Sequence, residues 1–465
     1  MNFADFDSQK YIAQATLSQK KIKVFAQDIF AFLIDKEFKL SEFISTEQIN
    51  MVDGLLCLKA TAADGLFFYI CVLDPNIRGG TFSANNLILL NQFLNFLNLN
   101  ADDAPFLFLM NSGGVRLTQK RTIFNAIWGV VPKLFILKKH RSFFSMAHEL
   151  CLGASAVFFA QAHFRISTSN HTLVNLTGPG VIKSFFGESE NFNQYASAIH
   201  QFERHLLIQE IAPDFLLAMN RVFQLVGVNH KKTMYDHGFK NSYTEDSYEG
   251  VDLQKTQKYS DFLNAVSDVH SEIMPHYSGS GACFMCQKNG LYFGLLINPL
   301  DHPVNSISVA TIEKYTDALI LFKALKLPLL NVTDSPGGDP RRKNSDQNII
   351  QKSLQLIEAC VDYPYPKVGL IVGRCFGGSG LFSLPSVHGS LGLYALEKSK
   401  MGAVSDNIID QLVQGNIANN EEWQTTKLSH KADLSDLVET NNLVKIIKWD
   451  QLSEFTDHLL AGLKY

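Results

Sequence analysis

No catalytic signature of fixed spacing runs through this chain of 465 residues: there is no GxxxxGK[ST] phosphate loop, no HExxH and no GxSxG elbow. Their absence removes the simplest sequence arguments for a P-loop hydrolase, a zinc protease or a serine hydrolase. The nearest approach to the elbow, Gly153-Ala154-Ser155-Ala156-Val157, has valine where the last glycine belongs. No stretch reaches the roughly 18 apolar residues of a membrane span. The opening MNFADFDSQKYIAQATLSQK mixes Asp, Gln and Lys with its apolar residues, unlike a signal-peptide core. A cytoplasmic protein is expected. The net charge of -4 is too small to leave an electrostatic footprint for nucleic acid.

Cysteine is sparse and unpatterned. The seven are scattered and mostly inside apolar sequence, as free buried thiols would be. Cys283 and Cys286 have CxxC spacing, but ACFMCQKNGLYFGLLI reads as a strand, on which residues i and i+3 face opposite ways. No second CxxC completes a four-ligand set, so no metal is expected.

What is present is enough material for two domains, because 465 residues exceed what one core usually serves. Apolar residues make up 46% of the chain and charged residues 18%, which favours folded cores over long tails.

The chain also repeats itself. PFLFLMNSGGVRL and PLLNVTDSPGGDP each run a proline-led apolar stretch into a turn with two glycines. Pro105 matches Pro328 at an offset of 223, and Gly114 matches Gly338 at 224. A second glycine site follows in LCLGASAVFF and GRCFGGSGLF, where Gly153 matches Gly377 at 224, so both halves space their two sites 39 residues apart. NNLILLNQFLNFL and ISVATIEKYTDALILFKAL have helical period ahead of each proline. NAIWGVVPKLFILKKH and NIIQKSLQLIEAC supply a second helix, and HFRISTSNHTLVNLTGPG and GSLGLYALEKSKMGAVS a further strand and turn. Helix, strand, glycine turn, helix, strand, glycine turn, strand is an α/β unit with its functional turns at strand ends. Domains are predicted over residues 1–245 and 246–465, joined within YTEDSYEGVDLQKTQKYS.

Glycine turns that end strands and open helices aim backbone N–H groups at one point, and such donors stabilise an oxyanion without any nucleophile. A thioester carbonyl becoming an enolate suits one such hole. Two holes suit a reaction with two carbonyl groups, such as carboxyl transfer or decarboxylation.

RGGTFSANNLILLNQFL, NSGGVRL, LGASAVFFA and LTGPGVIKSFFGESE, in that order, resemble the first half of the carboxyltransferases of the crotonase superfamily. TDSPGGDPRRKNSDQNII, GRCFGGSGLF and LGLYALEKSKMGAVS resemble their partner half, and the likeness covers about residues 76–405. It implies an α/β fold of two tandem crotonase-like (spiral ββα) domains and an acyl thioester substrate on coenzyme A or an acyl carrier protein. GGVRLTQ and TGPGVIKSFFGESE are closer to the beta subunit of biotin-independent malonate decarboxylase, which would make the chain a beta-gamma fusion. The chain also lacks the cysteine zinc ribbon that precedes some bacterial carboxyltransferase beta subunits. A biotin-dependent acyl-CoA carboxyltransferase component is the alternative, with biotin on a separate carrier protein because no AMKM-like sequence occurs. A non-catalytic acyl-thioester binder or scaffold is the third reading. No covalently bound cofactor is implied.

The resemblance assigns the first oxyanion donors to Gly153 and Ala154 and the second to Gly377 and Gly378. Gly113, Gly114, Gly337 and Gly338 would let backbone approach the acyl carrier or coenzyme. Thr177, Gly178 and Pro179 would wall the first acyl pocket. Arg116 would hold a carboxylate or phosphate, against a plain surface arginine. His148 is a candidate acid or base, against a core histidine. Arg341-Arg342-Lys343 is a candidate phosphate contact, against a solvated charge run. Asn111 stands where the family has Asp, Lys183 where it has Glu, and Leu152 where GGVSAS has its first glycine. The second site is therefore expected to be the better preserved. The resemblance further implies a site shared between one half of a chain and the other half of a neighbour, and so a homo-oligomer. Light scattering at micromolar concentration should give at least the dimer mass; the monomer mass would contradict this.

Overall fold

The two proline-led apolar runs become the central strands of two sheets. The computed structural model describes residues 53–62, 65–187, 191–228, 257–275, 281–298, 306–380, 390–402 and 444–462, with short pieces at 3–5 and 39–43 and isolated positions elsewhere. The chain divides into two compact units, Met1–His230 and Lys231–Tyr465. The predicted junction at 243–260 lies outside the described residues up to 256.

The first unit holds β1 (Phe3–Asp5), β2 (Lys39–Phe43), β3 (Leu55–Thr61), β4 (Phe67–Leu73), β5 (Phe106–Ser112), β6 (Phe143–Leu152), β7 (Phe164–Ser167), β8 (Leu173–Asn175) and β9 (Glu210–Ile211). They line up as β1-β2-β3-β4-β5-β6-β7-β9, with β8 also beside β6. Pairing is antiparallel as far as β4 and parallel beyond it. The parallel crossovers are made by α1 (Ala84–Leu99), α2 (Lys120–Leu137) and α3 (Ala154–Ala160). After β8, α4 (Pro179–Phe186) and later α5 (Phe215–Val228) follow.

The second unit repeats the scheme with β10 (Val269–Ile273), β11 (Ala282–Lys288), β12 (Leu291–Ile297), β13 (Leu329–Ser335), β14 (Lys367–Phe376), β15 (Ser390–Leu396), β16 (Lys400–Gly402) and β17 (Lys445–Ile447). Their order is β10-β11-β12-β13-β14-β15-β17, with β16 beside β14. Its longer described helices are α6 (Gln257–Val266), α7 (Val309–Ala324), α8 (Ile349–Val361) and α9 (Leu452–Gly462).

Strands covered on both faces must be apolar throughout, which is why PFLFLM and PLLNV show no alternation. All seven residues of β5 and all seven of β13 are buried. Each sheet then receives a capped helix. Ser83 Oγ accepts Asn86 N–H at 3.1 Å to start α1, and Ser308 Oγ accepts Thr311 N–H at 3.2 Å to start α7. Leu87, Leu90, Leu94 and Leu97 bury one stripe of α1.

ACFMCQKNGLYFGLLI is two strands rather than one. Asn289 and Gly290 both take positive φ, 51° and 76°, the conformation of a two-residue hairpin turn between β11 and β12. Cys286 faces the core cluster with Leu295 and Val332, whereas Cys283 lies 3.9 Å from Lys314 O of α7 on the other face. Among the described residues, no three His, Cys, Asp or Glu side chains gather as a metal site. No helix of the described residues is long and apolar enough to cross a membrane.

All seven cysteines are buried and none forms a disulfide. Burial pushes the Cys151 and Cys283 thiols up to about 12 and Cys360 up to about 11, and raises Cys286 and Cys71 as well. A raised thiol pKa favours the folded state below the ordinary value of 9.0 and loses that contribution as pH climbs toward the folded value. The thermal midpoint should therefore fall between about pH 9 and 12, and an aromatic disulfide at pH 8 should find no thiol until denaturant is added. A thiol that reacts rapidly in the native protein would contradict this packing.

Candidate functional site

The parallel strands bring three turns of the first unit together. Gly113 N–H, just beyond β5, donates to Gly79 O at 3.1 Å, and Gly114 N–H donates to Ser112 Oγ at 3.1 Å. A Cβ on Gly114, whose φ is +100°, would lie 2.9 Å from Leu152 O at the end of β6. One on Gly80, at φ +62°, would drive into Asn111 O. Gly153 has φ 63° and ψ -126°, a backbone shape open in practice to glycine alone. A Cβ there would be 3.5 Å from Gly114 Cα and 3.8 Å from Leu176 O. RGGT, NSGG and LGAS thus meet at one point.

The turn Leu176–Pro179 borders the same point. Gly178 caps α4 with Pro179 as its first residue, and a Cβ on Gly178 would touch Leu152 Cδ1 at 3.6 Å. Thr177 O accepts the side-chain amide of Asn175 at 3.0 Å.

The second unit repeats the contacts of Gly114 and corrects the glycine pairing. Gly337, with φ +124°, donates its N–H to Ser335 Oγ at 3.2 Å, and its Cβ would be 3.2 Å from Phe376 O. Its carbonyl accepts Ile307 N–H at 2.9 Å, as Gly114 O accepts Phe82 N–H at 2.8 Å. Gly114 therefore corresponds to Gly337, and Gly338 corresponds to Val115, since Phe82 bridges Val115 as Ile307 bridges Gly338. Sequence matching placed this offset one residue too high because GG can be slid by one position. Gly153 does correspond to Gly377, which has φ 52°.

Hydrogen bonds separate the glycines that shape each turn from the amides that follow them, which have no acceptor among the described residues. Gly153 N–H is committed to Asn175 O and Gly377 N–H to Gly402 O, each at 3.0 Å. These two glycines, expected as oxyanion donors, have no spare proton; they supply the positive φ. The next amides, Ala154 and Gly378, open helices at 154 and 379, where no intrahelical acceptor exists for them. No heavy atom among the described residues lies within 4 Å of a Cβ built on Gly378.

The carboxyl transferase domain matches residues 105–404, well over half of the chain. The chain belongs to the carboxyl transferase domain family. It is 22% identical over 395 residues to a putative propionyl-CoA carboxylase beta chain of Bacillus subtilis, covering 78% of this chain and 73% of that one. It is 23% identical over 296 residues to methylmalonyl-CoA decarboxylase subunit alpha of Propionigenium modestum, covering 59% of this chain and 55% of the relative. In fold it matches a transcarboxylase 12S crystal structure, described as a hexamer with methylmalonyl-coenzyme A bound, at a TM-score of 0.78, 15% identity and coverage of 100% and 98%. The architecture is two tandem crotonase-like domains, as the sequence implied.

Within this carboxyl transferase fold several expected site residues have other tasks. Arg116 is buried, with Nη1 on Asp53 Oδ1 at 2.7 Å, Nη2 on Asp53 O at 3.1 Å and Nε on Thr81 Oγ1 at 3.3 Å. It pins the glycine turn to the chain ahead of β3. Burial alone would raise the Asp53 carboxyl, but hydrogen bonds from Arg116 and Ser83 outweigh it and hold the group below its ordinary value. His148 Nδ1 lies 2.6 Å from Thr168 Oγ1 and its ring packs edge-on against Phe215 of α5. Arg341 pairs with buried Asp339, holding that carboxyl below its ordinary value, and exposed Arg342 pairs with Asp346. Lys183 lies on an exposed face of α4. Asn111 is buried and its amide donates to Glu149 Oε2 at 3.1 Å, whereas its counterpart Asp334 accepts both the N–H and Nε of Arg374 at 2.9 Å.

Sequence reading overlooked the serines Ser112, Ser155, Ser335 and Ser379, all fully buried at these turns. A signal was present: Ser112 and Ser335 stand 223 residues apart, and Ser155 and Ser379 stand 224 apart.

Because Arg116 and Asp53 are largely buried, Arg116→Met should cost about 3 kcal/mol by leaving a buried carboxylate without its partner. Thermal unfolding should show the loss, and it should shrink as pH falls and Asp53 protonates. Substrate affinity of the folded fraction should change less than about twofold. A large change in KM at unaltered stability would return Arg116 to the ligand.

Proposed function

We propose that this chain is the carboxyltransferase component of an acyl-CoA carboxylating or decarboxylating system, acting on a short acyl-CoA that carries a carboxylate next to its thioester, of the malonyl or methylmalonyl type. The observation that carries this is the pair of matching glycine turns, each leaving one amide beyond a positive-φ glycine without an acceptor among the described residues, in a chain of the carboxyl transferase domain family. When the bond between the α-carbon and the carboxyl group breaks, its electron pair moves into the thioester carbonyl. The enolate oxygen that forms is the atom the Ala154 or Gly378 N–H would stabilise. The α-carbon then takes up a proton, and the carboxyl group leaves as carbon dioxide or passes to an acceptor. In the reverse direction the same donors stabilise the enolate before it takes up the carboxyl group.

Biotin on a separate carrier protein would supply the nitrogen that receives or delivers the carboxyl group. Two outward-facing turns fit a reaction with two carbonyl groups, and relatives of the chain include acyl-CoA carboxylase beta chains. No residue of the chain is needed as a nucleophile, which agrees with the burial of Ser155. A second reading, decarboxylation of a malonyl thioester without biotin in the manner of malonate decarboxylase, is favoured by GGVRLTQ and by TGPGVIKSFFGESE. An assembly of at least two copies is part of the proposal.

The test follows carboxyl label. Wild-type protein is mixed with carboxyl-labelled malonyl-CoA or methylmalonyl-CoA, alone, with biotin or a biotinylated carrier, and with an acyl carrier protein thioester. Label loss that requires biotin is expected; loss without biotin would select the second reading, and no loss under any pairing would remove both. Gly378→Val should lower turnover by roughly a hundredfold, the order lost with an oxyanion donor. Its midpoint should hold, because the new Cβ meets open space rather than backbone. Gly153→Val should cost stability too, through its positive φ. Unaltered turnover in folded Gly378→Val would place the chemistry elsewhere.

A further inference from the structure

The peptide entering each glycine turn is held at both ends. In the first unit the Leu152–Gly153 peptide gives its N–H to Asn175 O at 3.0 Å, and its carbonyl accepts the hydroxyl of Ser155 at 2.7 Å. In the second unit the Phe376–Gly377 peptide gives its N–H to Gly402 O at 3.0 Å and accepts the hydroxyl of Ser379 at 2.7 Å. Each hydroxyl also faces the carbonyl that closes the neighbouring strand, Ser112 O at 3.5 Å and Ser335 O at 3.3 Å.

A serine in the first turn of a helix usually serves the helix, accepting from backbone N–H groups or bonding back along the coil. These two reach back three residues, out of the helix, to a carbonyl that precedes the turn. That carbonyl otherwise points into the crowded seam where Gly114 or Gly337 approaches within contact distance. With the peptide plane fixed by two bonds and φ fixed near 63° in Gly153 and 52° in Gly377, only ψ of the glycine is left to aim the next amide. The glycine carbonyl is itself bound, to Val157 N–H at 3.3 Å and to Gly380 N–H at 3.2 Å. The outward amide has no remaining soft rotation.

We propose that Ser155 and Ser379 are positioning residues whose hydroxyl clamps the turn peptide and so aims the Ala154 and Gly378 amides at the oxygen they stabilise. The claim rests on the carboxyltransfer reading above for its chemistry, and on the duplicated geometry for the clamp. A hydrogen bond weakens steeply as its angle degrades, so a donor free to swing contributes less in the transition state than one held in place. Neither serine acts on substrate itself, since both are fully buried and their hydroxyls are already donated.

The experiment uses the full chain with Ser155→Ala, Ser379→Ala and Ser379→Cys, which keeps a weak donor on a slightly larger side chain. Two readouts are taken: steady-state kinetics per folded enzyme on the acyl-CoA that the wild type turns over, and amide hydrogen exchange at Gly153 and Gly377. Exchange at the affected glycine should quicken about tenfold in each alanine variant. At least one alanine variant should lose about tenfold in kcat with KM held within about threefold, and Ser379→Cys should fall between the wild type and Ser379→Ala. A purely structural serine would lower the folded yield without moving kcat of what remains. Unchanged exchange at both glycines overturns the clamp whatever the activity. Faster exchange with unchanged kcat overturns its positioning role. A wild type inert toward every thioester defeats the carboxyltransfer reading and the chemical half of this proposal, while exchange still judges the clamp.

Discussion

Contact of backbone with backbone at the strand ends is the constraint on which the rest of this structure depends. Gly114 against Leu152 O and Gly80 against Asn111 O are approaches that leave no room for a side chain, Gly337 against Phe376 O is nearly as tight, and all three glycines take positive φ. The turns can meet because the strands beneath them are hydrogen-bonded neighbours, about 4.8 Å apart. In both units the pairing of the two central strands slips by a bulge just before the turn, bringing Ser112 opposite Cys151 and Ser335 opposite Cys375. The bulge re-aims the last residues of the longer strand toward its neighbour. The positive φ of Gly153 and Gly377, just beyond these strands, belongs to the same packing.

Duplication has preserved geometry more strictly than charge. Gln119 Oε1 accepts Ala84 N–H at 2.7 Å at the start of α1, and Asn344 Oδ1 accepts Val309 N–H at 2.9 Å at the start of α7, so different residues do the same work. Electrostatics diverge at equivalent places. The first unit sets Asn111 against Glu149, which accepts a positive φ of 53° to stand there. The second sets Asp334 against Arg374, and the position equivalent to Glu149 is Gly373, where a Cβ would come within 2.6 Å of the Asp334 carboxylate. Arg116 reaches back to Asp53, whereas its counterpart Asp339 reaches forward to Arg341. The two turns have one shape and different charged surroundings.

Much of the fold was legible before any coordinate. Two apolar runs led by Pro105 and Pro328, the helical stretches around them and the matched glycine spacing identified an α/β unit built twice. The Asn289-Gly290 hairpin was not legible in ACFMCQKNGLYFGLLI, because apolar residues on both sides hide a two-residue turn. The pairing of Gly114 with Gly338 failed for a related reason: adjacent glycines look alike in sequence and are told apart by which of them packs on a carbonyl. Arg116 looked like a ligand contact because its partner Asp53 lies 63 residues earlier, beyond any local pattern.

The sequence alone determined the kind of protein: an α/β unit built twice around a buried strand, glycine turns where strands end, and an ordered set of turns resembling carboxyltransferases. Those properties are local, set by period, by propensity and by the conformations glycine allows. Tertiary structure decided the roles within the site. It showed that the Gly153 and Gly377 amides are spent on β8 and β16, and that buried Ser155 and Ser379 donate to the carbonyls that precede these glycines. Such assignments depend on which donor meets which acceptor across strands distant in sequence, and only the packed sheet fixes those distances.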